Sequence, residues 1–238
     1  CAEHEFSIAD DNSAGANPFN PLESLDHITE LKKRNDYIIV LYHGGKEHYR
    51  YPSPELQKVC RKIVDKGADL VICQHSHCIG AFENYGKGTI IYGQGNFLFD
   101  RSESEFWRTS LLIKASFTYQ EMSIEYIPIV KIGNSIRLAD KKEAEEILRG
   151  FNERSEAIQD KEFMKSEYNK LASQMLNSYL EKLNGDNIVI RTMNKIFKHK
   201  MIPKLYSPKC LAAIQNIIEC EAHRELILQG LKQKIKSC

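Results

Sequence analysis

Three histidines sit where a metal ion could be held. His43 follows Tyr37-Ile38-Ile39-Val40-Leu41-Tyr42, an almost wholly apolar run, and His75 and His77 follow a second one, Asp69-Leu70-Val71-Ile72-Cys73. Neutral imidazole is the commonest protein metal ligand at neutral pH, and it suits zinc, iron or copper better than magnesium or calcium. Residues two apart in an extended stretch point the same way, so His75 and His77 are expected to face one pocket. Gly44-Gly45 removes side chains beside His43 and lets backbone or substrate come close. Glu47 and His48 lie near enough in sequence to support the ligands or donate a proton, and equally fit an exposed loop. Asn96, in Gly93-Gln94-Gly95-Asn96, can bind a substrate, orient a histidine or cap the turn. Cys73 and Cys78 flank the histidine pair and could complete a mononuclear zinc site. Burial in the apolar strand accounts better for Cys73.

The elements that must position these groups are legible as far as about residue 138. Asn20-Pro21-Leu22-Glu23 reads as a helix start, with Leu22, Leu25, Ile28 and Leu31 at helical spacing. The run 37–42 has the pattern of a strand buried on both faces. Ser53-Pro54 opens a second helix, and Gly67 stands where a left-handed cap is expected. The strand 69–73 completes a strand-helix-strand unit, whose two strands should be parallel and joined by a right-handed crossover. Parallel strands bring their carboxyl ends, and so His43, His75 and His77, to one edge of the sheet. Thr89-Ile90-Ile91-Tyr92 reads as a third strand. The segments 110–117, 122–131 and 135–138 read as an antiparallel meander, with turns at Gln120-Glu121 and Gly133-Asn134.

Beyond 138 the strand signals fade. Helices are expected near 141–158, 161–184, 189–200 and 207–236, interrupted at Asn184-Gly185-Asp186 and Pro203. Two regions are therefore expected, an α/β domain over 1–138 and a helical region over 139–238. The basic residues late in the chain, Lys195, Lys198 and Lys204 among them, fit a solvated helix face.

The 238 residues carry a net charge of +1, which argues against nucleic acid or acidic lipid as the main partner. No apolar run approaches the roughly 20 residues needed to span a bilayer. The cysteines at 1, 60, 73, 78, 210, 220 and 238 are odd in number and contain no CxxC pair, so neither a disulfide framework nor a zinc ribbon is expected. Free thiols lean toward the cytoplasm.

Five blocks then combine: Ala2-Glu3-His4-Glu5-Phe6-Ser7-Ile8-Ala9, His43-Gly44-Gly45-Lys46-Glu47, Gly67-Ala68-Asp69-Leu70-Val71-Ile72, His75-Ser76-His77 and Ile91-Tyr92-Gly93-Gln94-Gly95-Asn96-Phe97-Leu98-Phe99-Asp100. In order and spacing they resemble the later half of the CapA or PgsA (poly-gamma-glutamate capsule synthesis) family, over Glu3 to about Lys131. That family is similar to calcineurin-like metallophosphoesterases. The resemblance implies a partial α-β-β-α sandwich, with the C-terminal helical region added to it. It implies that His43 and His75 bind one metal of a pair and His77 the other, with Glu47 and Asn96 as assisting catalytic residues. The cofactor implied is a divalent ion (zinc, iron or manganese), dinuclear in a full-length protein. The family's earlier half supplies an aspartate-bearing strand end and an asparagine-histidine motif that this chain lacks. Nothing in the spacing of Asp10 or Asp11 recommends them as substitutes. The segment thus reads as a fragment of a larger enzyme, its apolar surface exposed unless another chain or the tail covers it.

The function expected is a metal-dependent hydrolase-like domain in the synthesis, release or export of an anionic surface polymer, acting on a phosphate ester or a gamma-glutamyl bond. The alternative is a non-catalytic binding or assembly module with a degenerate metal site, whose C-terminal helices dock a protein partner. Location stays open between cytoplasm and cell envelope, where such relatives work.

Overall fold

The computed structural model describes residues 1–2, 8–9, 13–98, 104–183, 188–198 and 201–236. Glu3 to Ser7, Asp10, Asp11, Phe99, Asp100 and the expected interruption at Asn184-Gly185-Asp186 lie outside the described residues. The chain divides into two compact units, Cys1–Tyr168 and Asn169–Cys238.

The first unit is α/β. It begins with α1 (Ser24–Lys32), β1 (Ile39–His43), α2 (Pro54–Asp65), β2 (Leu70–Gln74), β3 (Phe82–Tyr85) and β4 (Gly88–Ile91). It continues with α3 (Glu105–Arg108), β5 (Thr109–Phe117), β6 (Met122–Ile132), β7 (Ser135–Leu138), α4 (Lys141–Ala157) and the opening of α5 (Lys161–Leu183). Two sheets result, one ordered β1-β2-β4-β3 and the other the meander β5-β6-β7. β1, β2 and β4 are parallel, while β3 runs antiparallel to β4.

Local chemistry explains the framework. Ser53 caps α2 by accepting from the Leu56 N–H, Pro54 takes the first turn, and Gly67 follows the helix with φ +117°. The Asp69 carboxylate accepts from the Ile38 N–H at 2.7 Å and pairs with Lys32 Nζ at 2.8 Å, tying the starts of β1 and β2 to α1. One face of the four-stranded sheet packs Val71, Cys73 and Ile90 against α1 and α2. The other face packs Leu70, Ile72 and Ile91 against Leu111 of β5 and Phe151 of α4. Buried Glu83 is held by Arg61 at 2.6 Å, by the Tyr92 hydroxyl at 2.7 Å and by Gln57 at 3.3 Å.

Several expectations need correction. β1 is not buried on both faces: Ile39 and Leu41 are 44% and 57% exposed, because they stand on the face opposite Val40 and Tyr42, which pack into the core. Residues 21–23 form a turn before α1, and Leu22 is 83% exposed. β3 and α3 were not anticipated.

The second unit takes the rest of α5 with α6 (Ile188–Ile196), α7 (Ile202–Leu205), α8 (Pro208–Glu219) and α9 (Glu221–Lys236). Pro203 sits within α7 and does not interrupt it, whereas the expected run 207–236 breaks at Cys220. Buried Asn194 accepts from the backbone N–H groups of Met201 and Ile202, each at 3.2 Å, and its amide nitrogen meets Glu181. Among the described residues, no helix is long and apolar enough to cross a membrane.

Candidate metal centre

Parallel pairing sets His43 opposite Gln74, one residue before His75. The exits of β1 and β2 therefore deliver their histidines to one place. His75 Nδ1 and His43 Nε2 are 3.2 Å apart and share a hydrogen bond. The strand ends at Gln74, so His75 and His77 are not in an extended stretch. They converge because the chain bends through positive φ at both, +86° and +55°. His48 also has positive φ, +55°, and its N–H donates to the Ser76 carbonyl at 2.8 Å, pinning the Gly44–His48 loop to the His75–His77 loop.

Two glycines allow this geometry. A Cβ on Gly93 would lie 2.6 Å from Ser76 Oγ, and one on Gly95 (φ +84°) would lie 2.7 Å from Ser110 Cβ. Both distances are too short for any side chain, so the loop carrying Asn96 packs directly on its neighbours. Asn96 then grips His77 twice. Its Oδ1 lies 2.8 Å from His77 Nδ1, and its Nδ2 donates to the His77 carbonyl at 3.2 Å. An amide oxygen can only accept, so Nδ1 carries the proton and Nε2 keeps its lone pair. Glu47 Oε1 is 3.9 Å from that Nε2.

Among the described residues, Glu47, His75 and His77 each offer a donor atom within 4.8 Å of the others, a group able to hold a metal ion. His43 stands beside this group, bonded to His75. A cavity of about 250 Å³, lined by His43, His75, His77 and Asn96 with Phe97 at its side, opens in front. Cys73 and Cys78 are fully buried. Cys73 Sγ lies 3.5 Å from Cys60 Sγ, and burial pushes the Cys78 thiol up.

Sequence reasoning missed Trp107. Its indole stacks on His77 with ring centres 5.0 Å apart and 18° between planes, and it also approaches His48 at 5.4 Å. Trp107 lies thirty residues from His77 on a four-residue helix, too short to leave a periodic signal; its being the sole tryptophan was the available hint.

Residues 3–101 match the family model for bacterial capsule synthesis protein PGA_cap. The capsule biosynthesis protein CapA of Bacillus anthracis is 34% identical over 99 residues, 40% of this chain and 24% of that protein. The PGA biosynthesis protein CapA of Bacillus subtilis (strain 168) is 33% identical over 90 residues, 38% of this chain and 24% of that protein. The chain spans about a quarter of the length of these relatives. The matched segment contains His43, Glu47, His75, His77 and Asn96 and stops short of Trp107.

Proposed function

We propose that the first unit, whose residues 3–101 match the bacterial capsule synthesis family model and resemble two CapA proteins, is a metal-dependent, hydrolase-like module. It acts on an anionic capsule polymer or a phosphate-containing precursor. The observation that carries this reading is the convergence of Glu47, His75 and His77 donors within 4.8 Å.

Two imidazoles and a carboxylate are a donor set that zinc hydrolases use with one position left open, and the set also suits iron or manganese. Glu47, His75 and His77 would hold the ion, with His43 beside them. A divalent ion there supplies Lewis-acid polarisation of a substrate oxygen and lowers the pKa of water. Asn96 keeps the proton on His77 Nδ1, so Nε2 presents its lone pair toward Glu47, 3.9 Å away. The His43–His75 hydrogen bond engages Nδ1 of His75 and ties the two imidazoles together. Trp107 covers one face of His77 and excludes water from it. A dinuclear centre needs further carboxylate donors from a longer chain.

The test is elemental analysis of protein purified without chelating resin, for this chain and for His75→Ala/His77→Ala. About one equivalent of zinc, iron or manganese is expected, lost in the variant. Metal-free protein in both cases would overturn the metal reading for this chain. A metal-bearing protein then goes to phosphodiester and gamma-glutamyl peptide substrates. One observation favours the non-catalytic alternative: His43 and His75 already satisfy each other by a hydrogen bond. That alternative predicts that alanine at both His75 and His77 leaves function intact.

A further inference from the structure

A second cleft, of about 500 Å³, lies between α3, α4 and the chain at Arg50. Its charged groups are unevenly paired. Arg50 Nη2 holds Glu105 at 2.9 Å, Arg137 engages Glu143 at 2.6 Å, and Arg149 reaches Glu153 at 3.9 Å. Arg154 and Arg108, both lining the cleft, form no ion pair among the described residues; Glu105 acts on Arg154, and Arg108 on Glu143, only at longer range.

The two innermost guanidiniums are held in fixed positions. Arg154 Nε donates to the Gly80 carbonyl at 2.8 Å, which orients the fork and leaves its Nη groups without a carboxylate. Arg50 lies over the Phe106 ring, 4.4 Å from its centre, and its Nε is buried with no hydrogen-bond partner among the described residues. Burial, and after it the neighbouring Arg50 charge, pull the Arg154 guanidinium below its ordinary value.

The space for Arg154 is provided by a residue that is costly in a helix. Gly150 lies in the middle of α4, where glycine is destabilising by about 1 kcal/mol relative to alanine. A Cβ there would come within 3.0 Å of Arg154 Nη1. A helix that needed only stability would carry alanine at this position. With alanine there, the end of the Arg154 side chain would have to give by a few tenths of an ångström.

We propose that Arg50 and Arg154 form an oxyanion subsite that takes a carboxylate or phosphate group of the substrate. A guanidinium presents paired donors that match such groups in a bidentate fashion, and a bound anion relieves the repulsion between the two arginines. The subsite shares α3 with the candidate metal centre. Glu105 and Phe106 of that helix contact Arg50, and its Trp107 stacks on His77. The identification of the anion as part of an acidic polymer rests on the capsule reading above; the subsite itself does not.

The experiment is calorimetric titration of the protein with two probes, a short gamma-linked glutamate oligomer and inorganic phosphate, at low and high salt. The unaltered chain is compared with Arg154→Gln and Gly150→Ala. Gly150→Ala favours the helix and keeps every charge, so it separates loss of the subsite from loss of fold. Either probe is expected to bind in a salt-sensitive manner, with about tenfold weaker affinity in Arg154→Gln, a smaller loss in Gly150→Ala, and unchanged metal content in both. Preference for the oligomer identifies polymer carboxylate as the ligand; preference for phosphate keeps the subsite and assigns it a phosphate group. Failure of both probes to bind, or equal binding by all three proteins, overturns the proposal. Metal content, measured on the same samples, decides the metal reading independently.

Discussion

Trp107 lies flat against His77, with 5.0 Å between ring centres, while Asn96 holds the same imidazole at its Nδ1 edge at 2.8 Å. One side chain fixes the plane of the ring and the other its tautomer. The ring Nε2 faces Glu47 Oε1 at 3.9 Å. The residue that fixes the plane comes from outside the segment shared with the capsule relatives.

The indole is the only tryptophan in the sequence, so its emission reports on His77 directly. Adding cobalt or zinc should change the fluorescence of the unaltered chain and leave that of His77→Ala unchanged. Trp107→Ala should weaken metal binding by about 10- to 100-fold, the usual effect of removing a group that orients a ligand. Trp107→Phe, which keeps a ring against the imidazole, should retain most of the affinity. A chelator competition assay measures both.

Asn96 separates orientation from bulk. Asn96→Leu removes both bonds to His77 and should cost about 10- to 100-fold in metal affinity. Asn96→Asp keeps an acceptor for the Nδ1–H and should lose less. Equal affinity in Asn96→Leu and the unaltered chain would show that the tautomer is fixed elsewhere.

Arg61 and Glu83 form the pair on which β3 depends. Arg61→Met leaves a buried carboxylate without its cation, and urea unfolding should show a loss of about 3 kcal/mol. Adding Glu83→Gln to that variant should recover part of the loss, because the uncompensated charge is then gone.

The pH dependence at the start of α4 has a definite sign. The Arg137 guanidinium, with the Asp140 backbone N–H, holds the Glu143 carboxyl down to about 2, below its ordinary value of 4.5. A lowered folded value means the stabilisation is fully present above the ordinary carboxylate range and is lost as pH falls through about 2. Carboxyl-detected NMR should find Glu143 titrating last among the glutamates of α4, and Arg137→Gln should return it toward 4.5. The pair is exposed, so added salt should shrink the difference.

Cys73 and Cys78 give a negative control. Both are fully buried, Cys73 against Cys60. Cys73→Ala and Cys78→Ala should therefore keep the metal content of the unaltered chain. A drop in either would revive the mononuclear zinc site with a cysteine ligand.

The sequence pattern located β1, α2, β2, β4 and the meander because each is a run of apolar residues bounded by turn chemistry. It failed where long-range context decides. Phe82-Glu83-Asn84-Tyr85 does not look like a core strand, since its buried member is a carboxylate paired with Arg61. Ile39 and Leu41 look buried, since a pattern of apolar residues does not say which face of the strand is covered. The histidines were found from their positions after two strands, but the reason given for their convergence was wrong. Extended alternation does not bring His75 and His77 together; two left-handed bends do. Arg154 and Gly150 left no trace, because an arginine on a helix ordinarily reads as solvated.

Those bends have a bearing on any attempt to make the protein more robust. His48, His75 and His77 are three of the four described non-glycine residues with positive φ, each held where glycine would rest about 1 kcal/mol lower. A selection for heat tolerance alone should replace these histidines with glycine early, and the changes at His75 and His77 would remove two of the three proposed metal donors. Ruggedness and chemistry pull in opposite directions at His75 and His77, so a thermostable variant that keeps both imidazoles must have gained its stability elsewhere in the fold.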